Sequence, residues 1–395
     1  MSKGNTKKRS SSGSASERRK SGSRKADVRK KRIRGRIDYI YLTILIVMVC
    51  AGLIMLLSAS APASNVKHGN SYTFFLKQLG FAVAGFVGMF FVSRIDYRKY
   101  KKYTGIFMII CVIMLILVFV PGIGARHNGA SRWINLRVFE FQPSEFMKLA
   151  IAMFFAAAIE TNKFRMDKFK ELMFYVGWLG VTVFLLMRET HLSGTIIIAG
   201  IAGIVMLVGG LKMKWAAIGT GIVIPAGLLY LFTDETRMAR VKSAFDPFAD
   251  MQVTGYQVVQ GLYAIGTGGL FGLGLGQSVQ KYSYLPEPYN DFIFAIICEE
   301  LGFVGAVFIM TMFVLLIIRG IKIALKAPDV FGMLTVVGIM AQIGLQTLLN
   351  IAVVTGLIPN TGVTLPFFSY GGTALTVLLV EMGIVLNVSR YSEGA

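Results

Sequence analysis

Three carboxylates, Asp291, Glu299 and Glu300, stand at the head of an apolar run that continues to about Ile318. A run of that length can cross a bilayer. A carboxylate in hydrocarbon costs several kcal/mol unless it is paired, protonated or facing water, so each marks a functional position by default. Pro286 and Pro288 cannot lie inside a regular helix, which places the helix start after them. Asn290 suits an N-cap and puts Asp291 in the first turn, at the membrane surface. There it can cap the helix, as acidic residues at helix starts do, or mark a functional site. Glu299 and Glu300 then lie roughly 12–14 Å deeper. At about 100° per residue only one of them can share a cavity with Asp291, and the other should meet a basic residue on a neighbouring helix.

Cations gather elsewhere on the same side. The segment Pro121–Lys148 carries Arg126, Arg132 and Arg137, and within it Ser131–Phe141 mixes apolar and basic residues around Trp133, as a segment lying in the interface would. Pro143-Ser-Glu145 opens the next apolar run, with Lys148 one turn inside, in range of an i,i+3 pair with Glu145 or of snorkelling to the surface. A longer segment, about 233–290, holds Arg237, Arg240, Lys242, Asp246, Asp250 and the glycine-rich stretch Gly266–Gly276. No strand precedes those glycines, so a nucleotide-binding fingerprint is a poor reading; bending or close approach of backbone at membrane depth is the better one. Pro359–Gly372 is a second proline- and glycine-rich segment. One outward-facing cavity, cationic on one wall with a single acidic group and access from lipid, accommodates all these pieces. It suits an anionic, lipid-attached substrate.

The elements that must hold them are membrane helices. The chain has 395 residues, is 54% hydrophobic and has a mean hydropathy of +0.62. Apolar runs near twenty residues recur at about 39–58, 73–93, 104–121, 144–160, 171–187, 192–209, 215–232, 291–318, 330–356 and 368–388. The fold class is therefore all-α and polytopic, with about ten spans and a long outer loop between the seventh and eighth. Basic residues concentrate in alternate short loops, Arg94–Lys102, Lys163–Lys170, Lys212/Lys214 and Arg319–Lys326, which puts both termini in the cytoplasm. The net charge of +20 is mostly local: residues 1–37 hold 15 Lys/Arg against Glu17 and Asp27. Such a tail cannot bury a core; it reads as a disordered cytoplasmic anchor for anionic lipid rather than a nucleic-acid binder. Residues 38–390 form the membrane domain and 391–395 a short cytoplasmic end. Cys50, Cys111 and Cys298 all fall in apolar runs, which points to no disulfide and no metal site.

At these residues the chain resembles the SEDS family (shape, elongation, division and sporulation), glycosyltransferases of the FtsW/RodA type. The landmarks are Ala130-Ser-Arg-Trp-Ile134, Gln142-Pro-Ser-Glu145 with Lys148, Gly255-Tyr-Gln257, Tyr284-Leu-Pro-Glu287, Asp291-Phe-Ile-Phe-Ala295, Glu299-Glu-Leu-Gly302 and Leu365-Pro-Phe-Phe-Ser-Tyr-Gly-Gly372. The wording is closest to the FtsW-like division and sporulation branch. The resemblance implies an enzyme of the bacterial cytoplasmic membrane that polymerises lipid II at the outer face, for septal wall synthesis. It implies Asp291 as the catalytic base and Arg132, Trp133, Lys148, Glu287, Ser369 and Tyr370 as substrate-binding residues. Glu145, Glu299 and Glu300 become structural charge partners, with Lys148 the first candidate cation for the last two. A divalent cation, Mg or Mn, could assist the leaving group, although the sequence offers no dedicated ligand cluster. Implied partners are a class B penicillin-binding transpeptidase and other divisome membrane proteins. A lipid II flippase or a non-catalytic scaffold for the transpeptidase are the alternatives. Two departures stand out. Tyr289-Asn290 replace the family's usual His-Thr before the aspartate, and Thr190-His-Leu-Ser-Gly194 stands where Pro-Asp-Leu-Gly is common, so His191 could supply the missing imidazole.

Overall fold

A computed structural model gives the fold and describes Met1 and residues 35–127, 130–135, 140–161, 166, 168–231, 238–239, 241–243, 246–249 and 255–392. The helices, numbered along the chain, are α1 (Tyr39–His68), α2 (Thr73–Arg94), α3 (Thr104–Leu117), α4 (Pro143–Glu160), α5 (Phe169–Arg188), α6 (Leu192–Val208), α7 (Met213–Leu231), α8 (Tyr256–Gly268), α9 (Ile293–Leu325), α10 (Val330–Val354) and α11 (Gly372–Ser389). Seven stretches are long and apolar enough to cross a membrane: α1, α2, α3 with the 3-10 turn before it, α5, α9, α10 and α11. With α4, α6 and α7 they make the ten expected spans. The basic tail (residues 2–34), Arg137, Arg237, Arg240, Asp250 and residues 393–395 lie outside the described residues.

The helix ends follow local chemistry. Asp38 caps α1, its carboxylate accepting from Tyr41 N at 2.9 Å. Gly69, in the left-handed region at φ 66°, closes the same helix ten residues beyond the expected end. Of those seven stretches α10 and α11 are the most enclosed. α2 and α11 pack where Gly85 and Gly88 face Leu379 and Val380, and Gly383 lies against the Met89 backbone.

Two outer segments differ from the sequence reading. The first carries strands among its described residues: β1 (Gly124–His127), β2 (Ala130–Asn135) and β3 (Glu140–Phe141) form an antiparallel sheet, order β1-β2-β3, with Trp133 opposite Ala125 and Ile134 opposite Phe141. Chain that leaves a span must pair its backbone groups, and this segment does so with itself. The 233–290 loop is likewise not simply external. α8 runs beside the first half of α9, Gly261 against Phe292 and Gly268 against Cys298 and Glu299. The chain then turns back along α9 to Asp291.

That return explains the glycines. α9 is broken at Gly302 (φ 67°). The carbonyls freed at the break are taken by the loop: Leu273 N donates to Glu299 O at 2.9 Å and Gly274 N to Glu300 O at 3.0 Å. Below the break, Phe303 N and Val304 N donate to Gly269 O and Leu270 O. A Cβ on Gly268 or Gly272 would collide with the Cys298 or Glu300 carbonyl oxygen. Non-helical backbone at this depth is tolerated because its polar groups are paired. Leu270, Phe271, Leu273 and Leu275 meanwhile point outward and exposed, as lipid-facing side chains do.

Candidate functional site

Asp291 does not sit in the first turn of α9. The helix begins two residues later with Phe292 at its N-cap, and the Asn290 side chain is bonded to Glu287 instead of capping. Asp291 is thereby free of a capping role. It occupies a turn pinned from three sides by its backbone neighbours. Tyr370 N donates to Tyr289 O at 2.8 Å, the Ser369 hydroxyl to Asn290 O at 2.5 Å, and Asn350 Nδ2 to Asp291 O at 2.7 Å. Ser369 also accepts from Leu365 N at 2.7 Å. Ser369 thus holds the turn, and it also lines the crevice beside Lys148.

Around the carboxylate itself stand amides. Gln257 Nε2 lies 3.5 Å from Asp291 Oδ1 and 3.2 Å from Pro286 O. Asn360 Nδ2 donates to Gln257 Oε1 at 2.7 Å, and the Gly362 backbone approaches Asp291 Oδ2. Among the described residues no cation pairs with Asp291. Its burial pushes the carboxyl up to about 6, against a backbone hydrogen bond that lowers it; the charge of Glu287 adds to the rise. The group is ionised at neutral pH and close to its protonated form, the condition a general base requires. Glu287 itself is exposed, at φ 49°.

Lys148 is buried and paired with Glu145 at 2.8 Å, the i,i+3 geometry read from the sequence. Its second partner is Gln346 Oε1 at 3.2 Å. Gln346 in turn donates to Thr364 O and Oγ1, both at 3.1 Å. Beside this group lies a small open crevice whose lining includes Glu145, Gln342, Gln346, Thr364, Ser369, Tyr370, Leu375 and Leu378. The crevice beside Lys148 thus does not include Asp291, and the loop between them, 360–365, is bonded to Asn350 through Val363 O at 2.6 Å and to Gln346 through Thr364.

Arg132, on β2, donates to Thr190 O at 2.5 Å. Thr190 adopts φ 54°, uncommon for a residue other than glycine. Next to it Glu189 is buried, and among the described residues neither of its carboxylate oxygens has a hydrogen-bond partner. Burial pushes its carboxyl up to about 8, with Arg132 opposing. His191, buried with Nδ1 3.4 Å from Gln142 Nε2, is driven down to about 3 by burial and by the charges of Arg132 and Lys148. It is neutral and faces that cationic wall, and none of its hydrogen bonds reaches Asp291. Trp133 is half-buried on the same strand as Arg132, and Arg126 lies on β1, where it pairs with Ser131.

Glu299 and Glu300 do not reach Lys148. Lys281, from the glycine-rich return, pairs with Glu300 at 2.8 Å, and both side chains are almost fully buried. Ser58 donates to Glu300 and accepts from Lys281. Glu299 takes Ser278 Oγ at 2.5 Å and Val279 N at 3.0 Å. Sequence reasoning missed Lys281 because the pair closes only when the loop folds back. It also missed Gln257, Asn360, Glu189 and Glu381. For Gln342, Gln346 and Asn350 a signal existed: polar residues spaced by four along an otherwise apolar span share one face. Among the described residues no group of three or more His, Cys, Asp or Glu comes together.

Comparison with known proteins agrees with this architecture. The FtsW, RodA and SpoVE family of cell cycle proteins matches residues 38–394. Stage V sporulation protein E of Bacillus subtilis (strain 168) is 42% identical over 360 residues, covering 90% of this chain and 98% of the relative. A "Probable peptidoglycan glycosyltransferase FtsW" from Geobacter sp. (strain M18) is 39% identical over 367 residues, covering 92% and 100%. A chain of a solved peptidoglycan synthase complex, described as coordinating polymerization and crosslinking, superposes with TM-score 0.76 at 25% identity, covering 91% and 99%. The crystal structure of the rod shape determining protein RodA of Thermus thermophilus gives 0.68 at 24% identity, covering 91% and 98%.

Proposed function

Because the chain belongs to the FtsW, RodA and SpoVE family of cell cycle proteins, we propose that it is a multi-pass membrane peptidoglycan glycosyltransferase that polymerises lipid II at the outer face, with Asp291 as general base. The observation that carries this reading is the Asp291 carboxyl, raised to about 6 by burial, facing amides and no counter-cation among the described residues. Glu300, by contrast, is held by Lys281.

In the proposed step the Asp291 carboxylate takes the proton of the 4-hydroxyl of one disaccharide. The oxygen attacks the anomeric carbon of a second, a new glycosidic C–O bond forms, and the C–O bond to undecaprenyl pyrophosphate breaks with its electrons leaving on the pyrophosphate. Arg132 and Lys148 offset the charge of the leaving group. Gln257 orients the base and Asn350 fixes its backbone. Septal synthesis in cell division, with a class B transpeptidase as partner, is the finer role we propose. The names of the relatives support it, and sporulation is the neighbouring possibility they also carry.

Purified protein given labelled lipid II should yield glycan polymer, and Asp291→Asn should reduce the rate by 10² to 10⁴-fold with the protein still folded. A wild-type rate from that variant would sink the assignment. We also propose that both termini are cytoplasmic, from the basic inner loops; a reporter at Asp167 that reads external would overturn that orientation.

A further inference from the structure

Tyr289 stands two residues before Asp291, at one of the two departures noted in the sequence, and the proposed reaction gives its side chain no role. That side chain is buried. Its ring stacks on Phe74, centroids 5.0 Å apart at 25°, and meets Tyr370 edge-on at 6.1 Å. Phe74 and Tyr370 also meet edge-on, at 5.0 Å. Three rings thus close on one another in the offset and edge-on contacts that aromatic pairs prefer. Lys67 completes the group. Its ammonium donates to the Tyr289 hydroxyl at 3.1 Å and lies 5.8 Å from the Tyr289 ring centroid and 5.9 Å from that of Phe74.

The side from which these contacts come matters. The hydrogen bonds to the carbonyls of Tyr289, Asn290 and Asp291 come from Tyr370, Ser369 and Asn350, that is from α10 and the segment before α11. Lys67 and Phe74 reach the same turn from α1 and α2. Lys67 lies in the stretch by which α1 runs past its expected end, and Phe74 lies in the first turn of α2. One turn further along α2, Gln78 donates to Ser369 O at 3.3 Å and accepts from Gly371 N at 3.2 Å. The Asp291 turn is therefore gripped from both sides, and on the α1 side the grip ends in one hydrogen bond. A carboxylate with no counter-cation among the described residues is placed by its backbone alone, so what fixes the turn fixes the base.

We propose that Lys67 is a positioning residue for the reaction: through the Tyr289 hydroxyl it fixes the turn that carries Asp291. This rests on the function proposed above. Lys67 is exposed, so an anionic group of the substrate is the competing partner for its ammonium. The contacts it makes all run to side chains of the turn and of α2, which favours positioning. A base must stand within hydrogen-bond reach of the proton it takes, and small displacements of a reacting group are costly in rate.

The test uses the purified full chain and labelled lipid II. Lys67→Met keeps an apolar stem over the rings and removes the charge and the donor. It should lower kcat about three- to tenfold, as loss of one hydrogen bond from a charged donor does, with KM within about twofold of native and Tm unchanged. Tyr289→Phe removes the acceptor, keeps the ring and should show the same loss. The double variant should be no slower than the slower single one, because the two residues act as a unit. Lys67→Arg can donate to the hydroxyl and stand over the rings, and should return kcat to within about twofold of native. A rise in KM with kcat held would make Lys67 a contact for the substrate's anionic groups and overturn the inference. Losses that multiply in the double variant would overturn it too, as would a fall in Tm with kcat unchanged. Native rates from Lys67→Met and Tyr289→Phe, alongside a native protein that polymerises lipid II, sink this inference alone. A native protein that does not polymerise lipid II sinks the function it rests on and this inference with it.

Discussion

Glu299 and Glu300, bonded to the glycine-rich return, are buried carboxylates; Asp291 and Glu189 are carboxylates held the opposite way. The first two are satisfied by Lys281, Ser58, Ser278 and loop N–H groups. Asp291 has no counter-cation among the described residues and is pushed up to about 6, and Glu189 has no hydrogen-bond partner and is pushed up to about 8. Burial raises both of these carboxyls, and at Glu189 the charge of Arg132 opposes the rise without cancelling it. The paired set fixes backbone at membrane depth. The unpaired set keeps proton affinity near the working pH, which a scaffold does not need and a reaction does.

The largest effect should come from breaking the paired set. Glu300→Ala or Lys281→Ala leaves one buried charge alone, a loss of about 3–5 kcal/mol. That approaches the whole stability of an ordinary domain. Yield of folded protein in detergent and Tm should both collapse, while the double change to leucine should recover much of the loss. Two abundant, stable single variants would show that the pair does not hold the loop. Next in size is Gly272→Ala, in the left-handed region at φ 78° with the Glu300 carbonyl in the way. Overpacking of this kind costs about 1–3 kcal/mol, measurable as a lowered Tm with the loop displaced.

Changes on the unpaired side should touch activity instead. Gln257→Leu removes the amide beside Asp291 and should lower polymerisation on the order of tenfold, as expected for a hydrogen bond to a charged group, with Tm unchanged. A drop in Tm without a drop in rate would move Gln257 into the scaffold. Glu189→Gln is the smallest change. Its carboxyl is raised from 4.5 to about 8, so the stability tied to its protonated form is intact below 4.5 and lost as pH rises through about 8. The variant should match the native Tm at pH 4.5 and exceed it above pH 8. The same Tm difference at both pH values would remove Glu189 from the unpaired set.

The spans were legible because an apolar run of membrane length has few other fates. The starts at Tyr39, Thr73, Thr104, Leu192 and Val330 fall where the sequence puts them. Asp291 was legible from its place between a proline-rich turn and an apolar helix. What failed was pairing across distance in the chain. Lys281 lies 19 residues before Glu300 with a backbone reversal between, so no helical spacing connects them. The sheet at 124–141 carries basic residues that mask its alternation. Glu381 is a lone acidic residue in an apolar run, a signal as plain as Glu300, and its partner Gln342 is visible only in three dimensions. Asn290 looked like a cap, but the Ser369 and Tyr370 bonds draw the turn tighter and start the helix two residues later.

The claim that organises all of this is that Asp291 works as an ionisable base with a raised pKa. The most direct measurement is the initial rate of lipid II polymerisation by the purified chain between pH 4.5 and 8. The carboxylate is the active form, so the rate should climb about tenfold per unit at low pH, bend near 6 and level off above it. The Asp291→Asn protein should lie at least about 10²-fold lower and show no bend. A native profile flat through pH 6, or the same bend persisting in Asp291→Asn, would contradict the account.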